Sequence, residues 1–140
     1  MRLVISTPTS VLADIADVVA VRAEDASGSF GILDGHADFL TVLPPSVVSW
    51  RRVDGSESHC AVRRGTLTIE SGKQLSVAAR EAVLSDDLDK LETEVLTRFF
   101  AANEEERAAR VESASMRMKA IRRIVHYLRA PGAAGSEDRL

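Results

Sequence analysis

The sequence predicts a segregated α+β architecture: an N-terminal flattened β-sandwich of about ten strands, then a C-terminal antiparallel helical hairpin. Two contrasting periods carry that expectation. From Arg2 to about Val83 the apolar residues come in short bursts divided by turn residues, which is strand grammar. From Ser85 onward glycine and proline disappear until Pro131, and apolar residues recur three and four apart, which is helix grammar. A chain of 140 residues has room for one ordinary domain, or for a compact unit with an appendage. The implied division is a sandwich over 1–84, a hairpin over 85–130 and a disordered tail over 131–140.

In the first half the candidate strands are "RLVIS", "VLADI", "VVAVRA", "SFGIL", "FLTVL", "VVSWRR", "SHCAVR", "TLTIE" and "QLSVAA". They are separated by "TPTS", "DASG", "DGHAD", "PPS", "VDGSE", "RG" and "SGK". Asp54-Gly55 and Ser71-Gly72 supply the left-handed positions that tight hairpins require. So many short strands bury one face each far better as two packed sheets or a flattened barrel than as one open sheet.

In the second half Leu88, Leu91, Val95, Phe99 and Ala102 make one stripe, and Val111, Ala114, Met118, Ile121, Val125 and Leu128 make another. Asp86 with Asp89 reads as a helix start, and Asn103 with Glu106 as a second one, so a break is expected near Ala102 and Asn103. The tail "APGAAGSEDRL" has nothing to bury. Acids crowd the helix starts and bases fill the second helix. Dipole complementarity of about 0.3–1 kcal/mol per well-placed charge explains that sorting; so does docking of the basic helix on an acidic partner.

Composition narrows the function. Eighteen Lys and Arg against twenty-one Asp and Glu leave no overall positive field for nucleic acid or anionic lipid. The single cysteine, Cys60, makes neither an internal disulfide nor a structural zinc site, which fits a reducing, intracellular setting. No run approaches the ~20 apolar residues that cross a bilayer, and "MRLVISTPTS" lacks the apolar core of a signal peptide.

The residues for catalysis are thin. His36, His59 and His126 fall in a turn, a strand and a helix, with no acid or serine at a catalytic spacing. His59 and Cys60 are strand neighbours that point to opposite faces and cannot grip one ion together. Gly28, Gly31 and Gly35 lack the Gly-Lys-Ser/Thr ending of a phosphate loop. Gly31 and Gly35 read instead as turn glycines, with His36 capping the turn through its side chain. No metal, cofactor or catalytic residue is expected.

The stretch "GSFGILDGHADFLTVL", followed by "PPSVVSWRR", "AVRRGTLTIE" and "LSVAAREAVLSDDLD", resembles the epsilon subunit of the rotary F-type ATP synthase, called delta in mitochondria. That family carries a turn of the form G-x-x-G-(I/V)-(L/Y)-x-G-H-A before an apolar strand. Gly28, Phe30, Gly31, Ile32, Leu33, Gly35, His36, Ala37 and Leu40 match it, and the resemblance runs to Leu128. It implies a ten-stranded sandwich with a helical hairpin and a non-catalytic rotor role at the cytoplasmic side of a bacterial membrane. The sandwich would bind the gamma shaft and rest on the c-ring, coupling ion flow to ATP synthesis. It places Ser29, Gly31, Asp34, Gly35, His36 and Asp38 at the c-ring and gamma interface. It also assigns Arg117, Lys119, Arg122 and Arg123 to contacts between the second helix and an acidic segment of the beta subunit, through which hydrolysis is inhibited.

Three departures mark a divergent branch. Some relatives bind ATP through L-D-x-x-R-A, whereas "LDKLET" keeps Leu88 and Asp89 but has Glu92 and Thr93 in place of the arginine and alanine. An anion where a phosphate-facing cation belongs argues against nucleotide sensing. Arg63 and Arg64 replace a small pair, and Asp38 replaces the usual proline. Two other classes compete with the rotor reading: a small ATP-binding regulator, which tight ATP binding would reveal, and a nucleic-acid module built on the basic helix, which steep salt dependence would reveal.

Overall fold

The computed structural model describes residues 1–129. The predicted tail over 131–140 lies outside them. Eight strands form: β1 (Arg2–Ser6), β2 (Val11–Ile15), β3 (Val18–Asp25), β4 (Gly28–Leu33), β5 (Phe39–Leu43), β6 (Ser46–Arg52), β7 (Glu57–Glu70) and β8 (Gln74–Ser85). They pair in the order β2-β1-β8-β7-β6-β3-β4, with β5 also on β7.

Eight strands stand where about ten are expected, because β7 and β8 are long enough to serve twice. The first half of β7 pairs with β6, through Ser46↔Val62 to Arg51↔Glu57, and its second half pairs with β5, through Phe39↔Ile69 to Leu43↔Gly65. β8 accompanies it throughout, from His59↔Ser85 to Glu70↔Gln74. One layer is therefore β2-β1-β8-β7-β5, built on the 65–70 and 74–79 halves. The other is β8-β7-β6-β3-β4, built on the 57–63 and 81–85 halves. "SHCAVR" and "TLTIE" are one continuous strand, not two.

Pro44 and Pro45 explain why the opposing line is broken into β5 and β6: neither has an N–H to give to the ladder. At the same level β7 changes phase. Its inward residues are Cys60 and Val62 before the crossing and Leu67 and Ile69 after it, so even positions give way to odd ones. Arg64, between them, has a left-handed backbone at φ 54. Parity also puts Arg63 on the outside of the second layer, where it is buried and bridges to Glu81 at 2.5 Å.

Both layers contribute to one core. Leu3, Ile5, Leu67, Ile69, Leu75 and Val77 come from the first layer, and Val21, Ile32, Val48, Trp50, Cys60 and Val62 from the second. Tight turns use the residues expected of them: Gly55 (φ 86), Ser71 (φ 57) and Gly72 (φ 66) all have positive φ.

After β8 the chain turns helical. Asp87 caps α1 (Leu88–Lys90), its carboxylate accepting the Lys90 N–H at 3.2 Å, one residue beyond the expected start at Asp86. A π-helical turn follows over Leu91–Val95, then α2 (Leu96–Leu128). Leu91, Val95 and Phe99 are buried in a second cluster with Ala61, Val47, Val83 and Leu96, against the outer face of the second layer. Their spacing of four would drift about 40° per step on a 3.6-residue helix, and the wider turn takes part of that drift back.

The predicted break is not seen in the secondary structure. Asn103 lies inside α2, since "FFAANEEERAA" contains strong helix formers and neither glycine nor proline. The chain divides into two compact units, Met1–Ala102 and Asn103–Leu140, and the division falls inside the stretch 85–130 that the sequence treats as one helical region.

Candidate docking surfaces

The loop after β4 carries four of the six predicted interface residues. Its backbone closes on itself, with the His36 N–H donating to the Leu33 carbonyl at 3.2 Å, and Gly35 (φ 86) permits the turn. The His36 Nδ1–H donates to the Ala37 carbonyl at 2.7 Å, and the ring meets Phe39 edge-on at 5.9 Å. The Asp38 carboxylate accepts the Ser71 N–H at 2.8 Å, and the Gly35 N–H donates to the Gly72 carbonyl at 2.9 Å. This loop and the β7–β8 turn therefore form a single edge. Asp38 supplies one of the two hydrogen bonds that hold them together, and the Gly35–Gly72 backbone pair supplies the other.

The other two predicted residues lie elsewhere. Ser29 pairs with Glu24 and Gly31 with Arg22 along β4. Ser29 is thus at the far end of a six-residue strand from Asp34, about 16 Å away at strand rise. Gly31 is a strand residue rather than a turn glycine, and a Cβ there would meet only the Val21 carbonyl at 3.8 Å.

A second surface escaped sequence reasoning altogether. On the outer face of the first layer, Leu40, Thr68, Ser76 and Val4 stand in one cross-strand row, and Val42, Thr66, Ala78, Ser6 and Val11 in the next. The second row carries no charge, and the first carries one only at its β2 end, where Asp14 stands opposite Val4. Leu40 and Val42 are 65% and 66% exposed, and Val11 is 63% exposed. Arg2, on the adjoining row, neutralises Asp14 there at 2.6 Å. A partly apolar sheet face of this breadth, with its one ion pair confined to the β1–β2 edge, is what a partner surface covers. The signal was present as the alternation in "LTV" and "TLTIE", but their outward sides are legible only once the register is known.

The chemistry-bearing residues do not assemble. Among the described residues no three His, Cys, Asp or Glu side chains gather to hold a metal ion. His59 Nδ1 lies 2.6 Å from the Ser49 hydroxyl, while Cys60 points into the core, where burial pushes its thiol up to about 12.

In the second unit, Arg117, Lys119, Arg122 and Arg123 are all exposed on α2. At about 100° per residue, Arg117 and Arg122 border the Val111–Leu128 stripe on its two sides, and Lys119 and Arg123 lie on the opposite face. The four do not make one patch.

The sandwich thus presents two surfaces, a tied-down loop edge and a largely uncharged sheet face. The sequence profile of the ATP synthase Delta/Epsilon chain β-sandwich domain matches residues 1–85, and the chain belongs to that family. It is 45% identical over 129 residues to the ATP synthase epsilon chain 2 of Paraburkholderia xenovorans, covering 92% of this chain and 93% of that relative. It is 40% identical over 134 residues to the ATP synthase epsilon chain 2 of Cereibacter sphaeroides, covering 95% and 92%. Among solved structures, a chain of the Euglena gracilis mitochondrial ATP synthase shares the fold at TM-score 0.56 and 21% identity, over 76% of this chain and 62% of that one. A chain of the Tetrahymena thermophila mitochondrial ATP synthase central stalk and c-ring does so at TM-score 0.55 and 16% identity, over 82% and 95%.

Proposed function

We propose that the chain is a non-catalytic rotor subunit, the epsilon subunit in the central stalk of a bacterial F-type ATP synthase. It links the gamma shaft to the c-ring, so that ion-driven rotation is coupled to ATP synthesis. The observation that carries this reading is the uncharged outer face of the first layer, Leu40, Val42, Thr66, Thr68, Ser76 and Ala78, which offers gamma a broad contact without desolvating a charge. The edge formed by Asp34, Gly35, His36 and Asp38 with Ser71 and Gly72 rests on the ring. A rigid edge suits this task, since a contact that transmits torque loses nothing to loop reordering.

The subunit is held at the cytoplasmic face of the membrane by these partners. Among the described residues no helix is long and apolar enough to cross a bilayer. The helical part regulates hydrolysis, with Arg117, Lys119, Arg122 and Arg123 meeting acidic surface on the catalytic subunits. Their distribution around α2 requires that surface to approach from more than one side.

Co-purification of the tagged full chain from its native membranes, at moderate salt, tests the reading. Recovery of alpha, beta, gamma and c subunits is expected; a folded, soluble chain that brings none of them down refutes it. In the recovered assembly, Arg122→Ala with Arg123→Ala should raise ATP hydrolysis while the sandwich stays folded. Unchanged hydrolysis in an assembly shown to contain the variant would sink the inhibitory role of those two residues.

A further inference from the structure

We infer that the free edge of β4 is a strand-addition site, which takes an extended protein segment carrying an acidic side chain opposite Gly31. The inference is independent of the proposed docking on gamma, which uses the first layer.

β4 ends the second layer, with β3 on one side and no strand on the other. The two-residue turn between Asp25 and Gly28 makes that pair hydrogen-bonded, and by alternation so are Ala23↔Phe30 and Val21↔Ile32. Ser29, Gly31 and Leu33 therefore turn their N–H and C=O groups away from β3. The Leu33 carbonyl is taken by the His36 N–H. The N–H and C=O of Ser29 and Gly31 and the Leu33 N–H are left for a further strand.

Free sheet edges are ordinarily guarded by charge or proline. Two others here follow that rule, since β2 carries Asp14 and β5 runs into Pro44 and Pro45. β4, "GSFGIL", has neither a charged residue nor a proline. Its inner side is also unfinished: Phe30 is only half-buried against the core, and its edge-on partner Phe39, 5.7 Å away, is 37% exposed. Inward apolar residues of an added strand would cover both rings.

The outer side determines which segment fits. Arg22 is the cross-strand neighbour of Gly31, and Glu24 that of Ser29. Because Gly31 has no side chain, nothing on β4 stands between Arg22 and the next strand position, about 10 Å from its Cα. Arg22 is exposed and forms no ion pair among the described residues. Arg22, Glu24, Ser29, Gly31 and Leu33 line one recess, so a strand laid along β4 meets a cation at its centre and an anion one step further on. The complementary segment is apolar at its inward positions, acidic opposite Gly31, and basic or neutral opposite Ser29. A second copy fits poorly, because β4 paired with itself about Gly31 sets glycine against glycine and brings no anion to either Arg22.

The test titrates the isotope-labelled full chain with the blocked peptide Thr-Val-Glu-Val-Lys-Thr, which has that pattern in antiparallel register, and with Thr-Val-Lys-Val-Glu-Thr, which reverses the charges. With the first peptide at saturation, the Ser29, Gly31 and Leu33 amides should exchange about ten-fold more slowly, while Phe30 and Ile32, already bonded to β3, stay unchanged. The reversed peptide should bind about five-fold more weakly, and Arg22→Gln should erase most of that preference. Gly31→Pro removes an N–H that β3 does not use and should abolish binding; if it lowers the Tm, Arg22→Gln still decides. No slowing at millimolar peptide, or equal binding of the two peptides, overturns the inference. So does slowing of the three amides in the chain alone that grows with its concentration, which would make a second copy the occupant.

Discussion

Asp38 and Ser71, 33 positions apart, are joined by the Ser71 N–H donating to Asp38 Oδ1 at 2.8 Å. Beside that bond the chains run so close that a Cβ on Gly72 would lie 2.6 Å from the Gly35 Cα. Gly72→Ala should therefore destabilise the sandwich by about 2–4 kcal/mol, combining left-handed strain with a backbone clash. Gly35→Ala, with nothing within 4 Å of its Cβ, should lose only about 1 kcal/mol. Thermal unfolding of both variants checks the ranking, and equal losses would mean that the close approach carries no energy.

The helix-bearing face gives a second contrast. Phe99 is 1% exposed in the cluster with Ala61 and Leu91, whereas its neighbour Phe100 is 52% exposed. Phe99→Ala should cost about 3–5 kcal/mol and speed hydrogen exchange over residues 88–100. Phe100→Ala should stay within about 1 kcal/mol. A silent Phe99→Ala would mean that the helix is not held on the second layer in solution.

Acid should act on the β3–β4 turn. The Ser27 hydroxyl, then Thr41, then the Ser27 backbone N–H donate to the Asp25 carboxylate and hold its pKa below the ordinary value. A carboxyl depressed in the folded state contributes stability that is complete above its unfolded pKa of about 3.9 and is lost as pH falls through the folded value. The Tm gap between the wild type and Asp25→Asn should be steady near neutrality and narrow below about pH 4. A gap that is the same at both ends contradicts the assignment.

Cys60 supplies a probe of the crossing. Its thiol is fully buried, and burial raises its pKa to about 12, so the reactive thiolate is scarce at neutral pH. Alkylation should require unfolding and follow the denaturant transition. Fast labelling of the native chain would show that the second layer opens locally.

Much of this fold could be read in advance. Alternating apolar residues in "RLVIS" and "VLADI" place β1 and β2 to the residue, and Gly55 and Gly72 mark their turns, because short-range sterics decide those features. The merger at Arg64 was hidden, since "RG" reads as a turn and only the partner strands show that the ladder continues through it. The helix start at Asp87 followed from capping chemistry, whereas Asn103 misled because a capping residue is also tolerated inside a helix. Of the proposed interface, the loop from Asp34 to Asp38 was marked by its glycine and histidine. The largely uncharged face was not, because it is assembled from β1, β2, β5, β7 and β8 and exists in no single stretch of sequence.

The two long strands have a mechanical corollary. In a sandwich held only by facing side chains, one layer can shear over the other by repacking methyl groups. Here β7 and β8 run unbroken from one layer into the other with their mutual hydrogen bonds from His59↔Ser85 to Glu70↔Gln74. Sliding the layers apart would mean rupturing backbone bonds or bending a covalent chain. A load applied to one outer face therefore reaches the other through the main chain, and the sandwich deforms as a single folded ribbon.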